Sequence, residues 1–83
     1  MERYLIESPH DANDCHTIIQ QVAAAGYLHN FDWGCSEGVH CGWAIVETES
    51  AAHASQIVPW KVRDRARIVK LVKYEDDNPH KLE

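Results

Sequence analysis

The stretch between residues 27 and 48 constrains the fold more than any other part of the chain. Residues 27 to 35 and 39 to 48 are rich in aromatic and β-branched types and flank Ser36-Glu37-Gly38. Two β-prone runs around a glycine able to take the left-handed conformation read as a hairpin. On its N-terminal side, Tyr4 to Glu7 is a short strand closed by Ser8-Pro9, where proline removes a ladder donor. Asp11 then offers a helix N-cap, with Asp14 three residues later in a short-armed capping box. Ile18, Ile19, Val22 and Ala25 recur at helical spacing, with Cys15 on the same stripe, until Gly26 stops the helix. On the C-terminal side, Ser50 caps a shorter helix carrying Ala51, Ala54 and Ile57, which Pro59 ends. The basic run from Lys61 to Lys70 reads as a loop and half-exposed strand, and residues 66 to 74 as the last strand.

The order strand, helix, strand, strand, helix, strand predicts an α+β domain of the ferredoxin-like βαββαβ form. Such a domain has a four-stranded antiparallel sheet with two helices on one face and its first and third strands paired in the centre. Residues 1 to 76 are expected to form this single domain, and residues 77 to 83 an acidic tail. The closing Lys81-Leu82-Glu83 has the look of a cloning remnant, so the tail is assigned no function. A chain of 83 residues buries only about 60% of the surface its unfolded form exposes, so it needs help from a metal, disulfides or a partner. Val69 and Leu71 point one way in the last strand, and Ile68, Val72 and Tyr74 the other. Helices cover only one face, so the apolar second face predicts a homodimer formed through the sheet.

Charge narrows the partners. A net charge of −5 and the absence of a clustered basic face argue against nucleic acid. No apolar run approaches the roughly 18–20 residues of a membrane span. The first residues lack the apolar core of a signal peptide, and three cysteines, an odd number, suit a reducing compartment. A cytoplasmic location is the expectation.

Six histidines in so short a chain direct attention to where the topology puts them. The first strand ends beside the start of the third, near residue 40, and the second ends at Cys35. His10, Cys35, His40 and Cys41 therefore converge at one end of the sheet, with Cys15 and His16 in the adjoining helical turn and Arg63 and Arg65 nearby. Imidazole and thiolate are the donors that zinc, nickel and copper prefer. Cys15 reads as a buried small hydrophobe on its helical stripe. His16, His53 and His80 read as surface residues, and His29 lies about 20 Å along the strand from Cys35, too far to share its site. Trp33, Trp43 and Trp60 serve the core or line a pocket beside Gly34 and Gly42.

The hairpin register stays open at this level. A four-residue loop sets Cys35 opposite His40 on one face. A three-residue bulged loop pairs Cys35 with Val39 and moves His40 to the face of Asn30 and Asp32, stacking Phe31, Trp33, Cys41 and Trp43 together.

The run Phe31-Asp-Trp-Gly-Cys-Ser-Glu-Gly-Val-His-Cys-Gly-Trp-Ala-Ile-Val-Glu-Thr-Glu-Ser50 resembles a pattern of Trp, short turn, Gly, aromatic, Ala, aliphatic and Val-Glu. That pattern is found in small uncharacterised families of the dimeric α/β-barrel superfamily. The resemblance spans residues 28 to 74, with the first strand and helix matched by pattern alone. It implies the ferredoxin-like fold and the dimer. One group of similar size in that superfamily is nickel-binding, which favours a metal here, although its ligands have no matching motif in this chain. Others are cofactor-free monooxygenases, lactone isomerases or haem-degrading enzymes.

Three functional readings follow. In the first, the protein binds zinc, nickel or copper through His10, Cys35 and His40, with a fourth ligand from Cys41, water or the partner subunit and a Lewis-acid role if a position stays open. In the second, it is a cofactor-independent isomerase or monooxygenase acting on a small molecule. His40 is then general base, Asp32 or Asn30 orients it and Arg65 holds an anionic substrate. A thiolate–imidazolium pair of Cys35 and His40 is a variant that needs the four-residue loop. In the third, the chain is a structural or regulatory dimer without site chemistry.

Overall fold

The computed structural model describes residues 1 to 74; the expected acidic tail at 77 to 83, with His80, lies outside the described residues. Four strands, β1 (Glu2–Pro9), β2 (Phe31–Trp33), β3 (Cys41–Thr48) and β4 (Arg67–Leu71), alternate with helices. The helices are α1 (Cys15–Ala24), α2 (Ala51–Ile57) and a single extra turn, α3 (Trp60–Arg63). The sheet order is β2-β3-β1-β4, all antiparallel, so the first and third strands do pair at the centre, from Glu2↔Thr48 to Pro9↔Cys41.

Strand alternation sorts the side chains between two faces. Tyr4, Ile6 and Ser8 of β1, Phe31 of β2, and Ala44 and Val46 of β3 turn inward and are buried. Ile18 and Val22 of α1, Ala54 of α2, Val58 and Val62 cover them. The opposite face has no helix. It carries Leu5, Trp43, Val69 and Leu71, all half-buried, and Ile45, which is 50% exposed.

Three local readings are corrected. The first helix begins a turn later than an Asp11 cap would start it. Asp11 and Asp14 cap nothing with their side chains, because Asp11 meets Arg65 at 3.2 Å and Asp14 meets Lys61 at 3.1 Å, and a 3-10 turn over Ala12–Asp14 fills the gap. The second strand is only three residues long. The polar His29-Asn30 pair sits in a 3-10 turn tied by Asn30 N–H to the Tyr27 carbonyl at 2.9 Å, which takes residues 28 to 30 out of the ladder. Finally, part of the run read as a loop forms α3. Pro59, whose missing N–H costs nothing at a helix start, lets the chain turn and bury Val62 completely, leaving Trp60 80% exposed. The Ser50 cap is present, its Oγ accepting from His53 N–H at 3.2 Å.

Candidate metal centre

His10 follows β1 and continues its inward-facing series of Ile6 and Ser8. Its N–H donates to the His40 carbonyl at 3.0 Å, which extends the β1–β3 ladder one step and brings the two imidazoles to the same end of the sheet. Their ring centroids are 6.3 Å apart. Cys15 is the first residue of α1. Helical side chains lean toward the N-terminus of their helix, here over the turn that leads back to His10.

Cys35 opens a 3-10 turn (Cys35–Glu37) between β2 and β3. The β2–β3 ladder ends at Trp33↔Gly42, so neither loop register is realised as a strand pair; from the 3-10 turn Cys35 meets His10 at 3.3 Å. Gly34 N–H donates to the Cys41 carbonyl and Val39 N–H to the Gly34 carbonyl, both at 3.0 Å. Gly38 completes the turn at φ +79°, a conformation other residues rarely adopt. Gly42 matters for a different reason. The Trp33 indole lies across it so closely that a Cβ there would stand 2.7 Å from the ring. Trp33 stacks on Phe31 at 5.3 Å and meets the His10 ring edge-on at 6.2 Å, forming an aromatic floor beneath the histidine.

Four donor atoms result. His10 Nε2 is 3.1 Å from Cys15 Sγ and 3.3 Å from Cys35 Sγ, and His40 Nδ1 is 3.2 Å from Cys15 Sγ. All four atoms lie within 4.8 Å of one another. A tetrahedral ion with bonds of about 2.05 Å to nitrogen and 2.3 Å to sulfur would separate N from S by about 3.5 Å. The group therefore matches a four-coordinate site to within a few tenths of an ångström on its three short edges. Hydrogen bonding alone accounts for it poorly: a neutral imidazole nitrogen carries at most one proton, yet His10 Nε2 faces two thiols. His10 Nδ1, by contrast, is buried without a hydrogen-bond partner, as are the neighbouring Ser8 Oγ and Trp33 Nε1. This His2Cys2 group can bind a transition metal, and with two thiolates and two neutral imidazoles it would neutralise a divalent ion.

Without an ion the Cys35 sulfur opposes the ionisation of Cys15. The hydrogen bond with Cys35, burial, and the nearness of the Cys35 charge push the Cys15 thiol up from 9.0 to about 11. Such a thiol is not an activated nucleophile.

The structure brings together His10, Cys35 and His40, as the sequence reading expected, but replaces Cys41 with Cys15. Alternation explains the first correction. Cys41 pairs with Pro9 on the face away from the helices, is buried, and its thiol lies 3.6 Å from the Gly42 carbonyl. Burial and the Glu7 carboxylate on that same face push its thiol up too. Cys15 was assigned to the core because it shares a helical stripe with Ile18 and Val22. At the first position of the helix, however, only the short 3-10 turn over Ala12–Asp14 precedes it, and its side chain stays half-buried. The sequence carries one signal for it in its spacing: His10-x4-Cys15 and Cys35-x4-His40 are the same interval in opposite order.

The proposed general-base set does not assemble. Asp32 pairs with Trp43 on the helix-free face, Arg65 is held by Asp11 in the solvent, and His40 Nδ1 is beside Cys15 instead. The imagined Cys35–His40 pair is likewise replaced by Cys35–His10 and Cys15–His40 contacts. Phe31 and Trp33 share one face, Cys41 and Trp43 the other, so the four do not stack together. His16 and His53 are exposed, as expected, and His29 is outside the donor group. Two hollows stand apart from the donor group. One of about 700 Å³ is lined by Arg3, Tyr27, Asn30, Thr48, His53 and Ile57, among others, and one of about 400 Å³ by Leu5, His29, Asp32, Trp43 and Ile45 on the open face. Among the described residues no helix is long and apolar enough to cross a membrane.

Comparison with known protein families, characterised proteins and solved structures finds no match.

Proposed function

We propose that this protein is a small metal-binding domain holding one zinc, nickel or copper ion per chain through His10, Cys15, Cys35 and His40. The observation that carries the reading is the convergence of two imidazole nitrogens and two sulfurs on one point from three separate chain segments. Zinc is the first choice, since four protein donors of mixed N and S type are the usual structural zinc set. Four donors leave no open position, so the proposal is a site that holds metal and ties β1, α1 and the β2–β3 loop together, without Lewis-acid catalysis. Binding free energy then becomes folding free energy, which suits a chain short enough to need it. The test is elemental analysis of dialysed, untagged protein together with a melting curve. One metal ion per chain and a raised melting temperature are expected. Protein that carries no metal and gains no stability from zinc, nickel or copper discards the reading.

We also infer a ferredoxin-like homodimer formed through the helix-free face, in keeping with the resemblance to dimeric α/β-barrel proteins. Its support is the apolar centre of Leu5, Trp43, Ile45, Val69 and Leu71, rimmed by Arg3, Glu7, Glu47 and Arg67. Ile45→Lys should then shift the mass measured by light scattering from dimer to monomer; an unchanged mass would reject the interface.

A further inference from the structure

Two of the four donors have a chemistry of their own. Cys15 Sγ and Cys35 Sγ lie within 4.8 Å of each other on different segments, one opening α1 and the other opening the turn after β2. Both are half-buried, so a small solute can reach them. The third cysteine is buried on the opposite face of the sheet, which leaves Cys15 and Cys35 each other's only thiol neighbour among the described residues. A disulfide needs its sulfurs at about 2.05 Å. Neither cysteine lies in a strand, so closing the remaining gap breaks no rung of the sheet.

We propose that Cys15 and Cys35 form a dithiol that hydroperoxides oxidise to an intramolecular disulfide, releasing the bound metal. This rests on the metal-binding reading above, which it extends to how the ion leaves. In the metal-loaded protein both sulfurs are thiolates, and in the first step one of them attacks an oxygen of the hydroperoxide and the O–O bond breaks. The departing oxygen takes a proton from water and leaves as water or an alcohol, and the attacked sulfur becomes a sulfenic acid. In the second step the other thiolate attacks that sulfur, the S–O bond breaks, and hydroxide leaves and is protonated to water. The two sulfurs give up two electrons in total, the hydroperoxide accepts two, and two protons come from solvent. A disulfide is a far weaker ligand than two thiolates, because the thiolate is the metal-binding form. Two imidazoles alone then hold the ion too weakly to retain it against a chelator.

The test treats zinc-loaded protein with hydrogen peroxide in the presence of a chromogenic zinc chelator, followed by intact mass measurement and peptide mapping. Expected are loss of the bound zinc, a mass lower by two hydrogens, and a Cys15–Cys35 cross-linked peptide. A thiol reductant should restore both the mass and zinc binding, and Cys41→Ala should behave the same way. Zinc retained after peroxide treatment overturns the proposal. So does zinc lost with only sulfinic or sulfonic acid formed, or a cross-link through Cys41. The two readings separate cleanly: a chain that takes up no zinc, nickel or copper overturns both, whereas zinc bound without disulfide formation overturns this one alone.

Discussion

Replacing Cys15 by serine separates the structural account from the arrangement the sequence suggests, because the sequence places Cys15 in the core and Cys41 at the site. Binding to structural zinc sites is worth about 10–16 kcal/mol across four ligands, or roughly 3–4 kcal/mol for each if shared evenly. At about 1.4 kcal/mol per factor of ten, losing the Cys15 thiolate should weaken zinc binding by two to three orders of magnitude. The stability effect follows by linkage. Free zinc at one hundred times the wild-type Kd stabilises the folded state by about 2.7 kcal/mol. With about 4–8 °C per kcal/mol for a domain this size, that raises Tm by roughly 10–20 °C. For Cys15→Ser at the same zinc concentration, the concentration no longer exceeds Kd and the gain falls to about 0.4 kcal/mol or less, a shift of about 3 °C at most. Melting followed by circular dichroism, with and without zinc, gives the shift, and competition with a chromogenic chelator gives Kd. Cys41→Ala is the control. It should lower Tm through a lost buried contact yet keep the full zinc response. If Cys15→Ser responds like wild type, or if Cys41→Ala loses the response, the donor set is wrong.

Three further outcomes follow. Metal uptake must displace the Cys15 proton, held up to about 11 in the metal-free fold, so apparent zinc affinity should rise with pH across the neutral range by up to about tenfold per unit for each proton released; a flat titration from pH 6 to 8 would contradict this. In the metal-free chain the raised Cys15 pKa means the folded state keeps its proton longer than the unfolded one. That contribution is complete below pH 9 and lost as pH rises from 9 through 11, so metal-free melting temperatures should fall over that window, faster than those of Cys15→Ser. Gly42→Ala should drive a methyl group into the Trp33 ring, 2.7 Å from the new atom. The expected cost is about 1–3 kcal/mol, seen in urea denaturation, with displacement of the His10 floor read as changed Trp fluorescence. A variant as stable as wild type would mean Trp33 is not pressed against the sheet.

The central strand pairing was legible because periodicity fixes which elements exist, and a hairpin between two helices leaves few ways to arrange four strands. Three of the four donors were legible because antiparallel pairing brings the end of β1, the end of β2 and the start of β3 to one end of the sheet. The rest turned on single-residue parity. Cys41 and His40 are neighbours in sequence but face opposite sides of the sheet, and only the actual register decides which one joins His10. Cys15 was hidden by sharing its stripe with Ile18 and Val22; being in the first turn, not the stripe, decides its surroundings. The shortness of β2 and the extra turn α3 depend on tertiary contacts. The carboxylates of Asp11 and Asp14 are drawn to Arg65 and Lys61, more than 45 residues away in sequence, and Val62 gains burial by turning inward. Local propensity carries no record of those partners.

X-ray absorption spectroscopy of the zinc-loaded, untagged protein tests the donor set most directly. The account predicts a four-coordinate ion with two sulfur ligands at about 2.3 Å and two imidazole nitrogens at about 2.0 Å, and one sulfur replaced by oxygen in Cys15→Ser. A coordination shell dominated by oxygen, or one that keeps both sulfurs when Cys15 is removed, would contradict it.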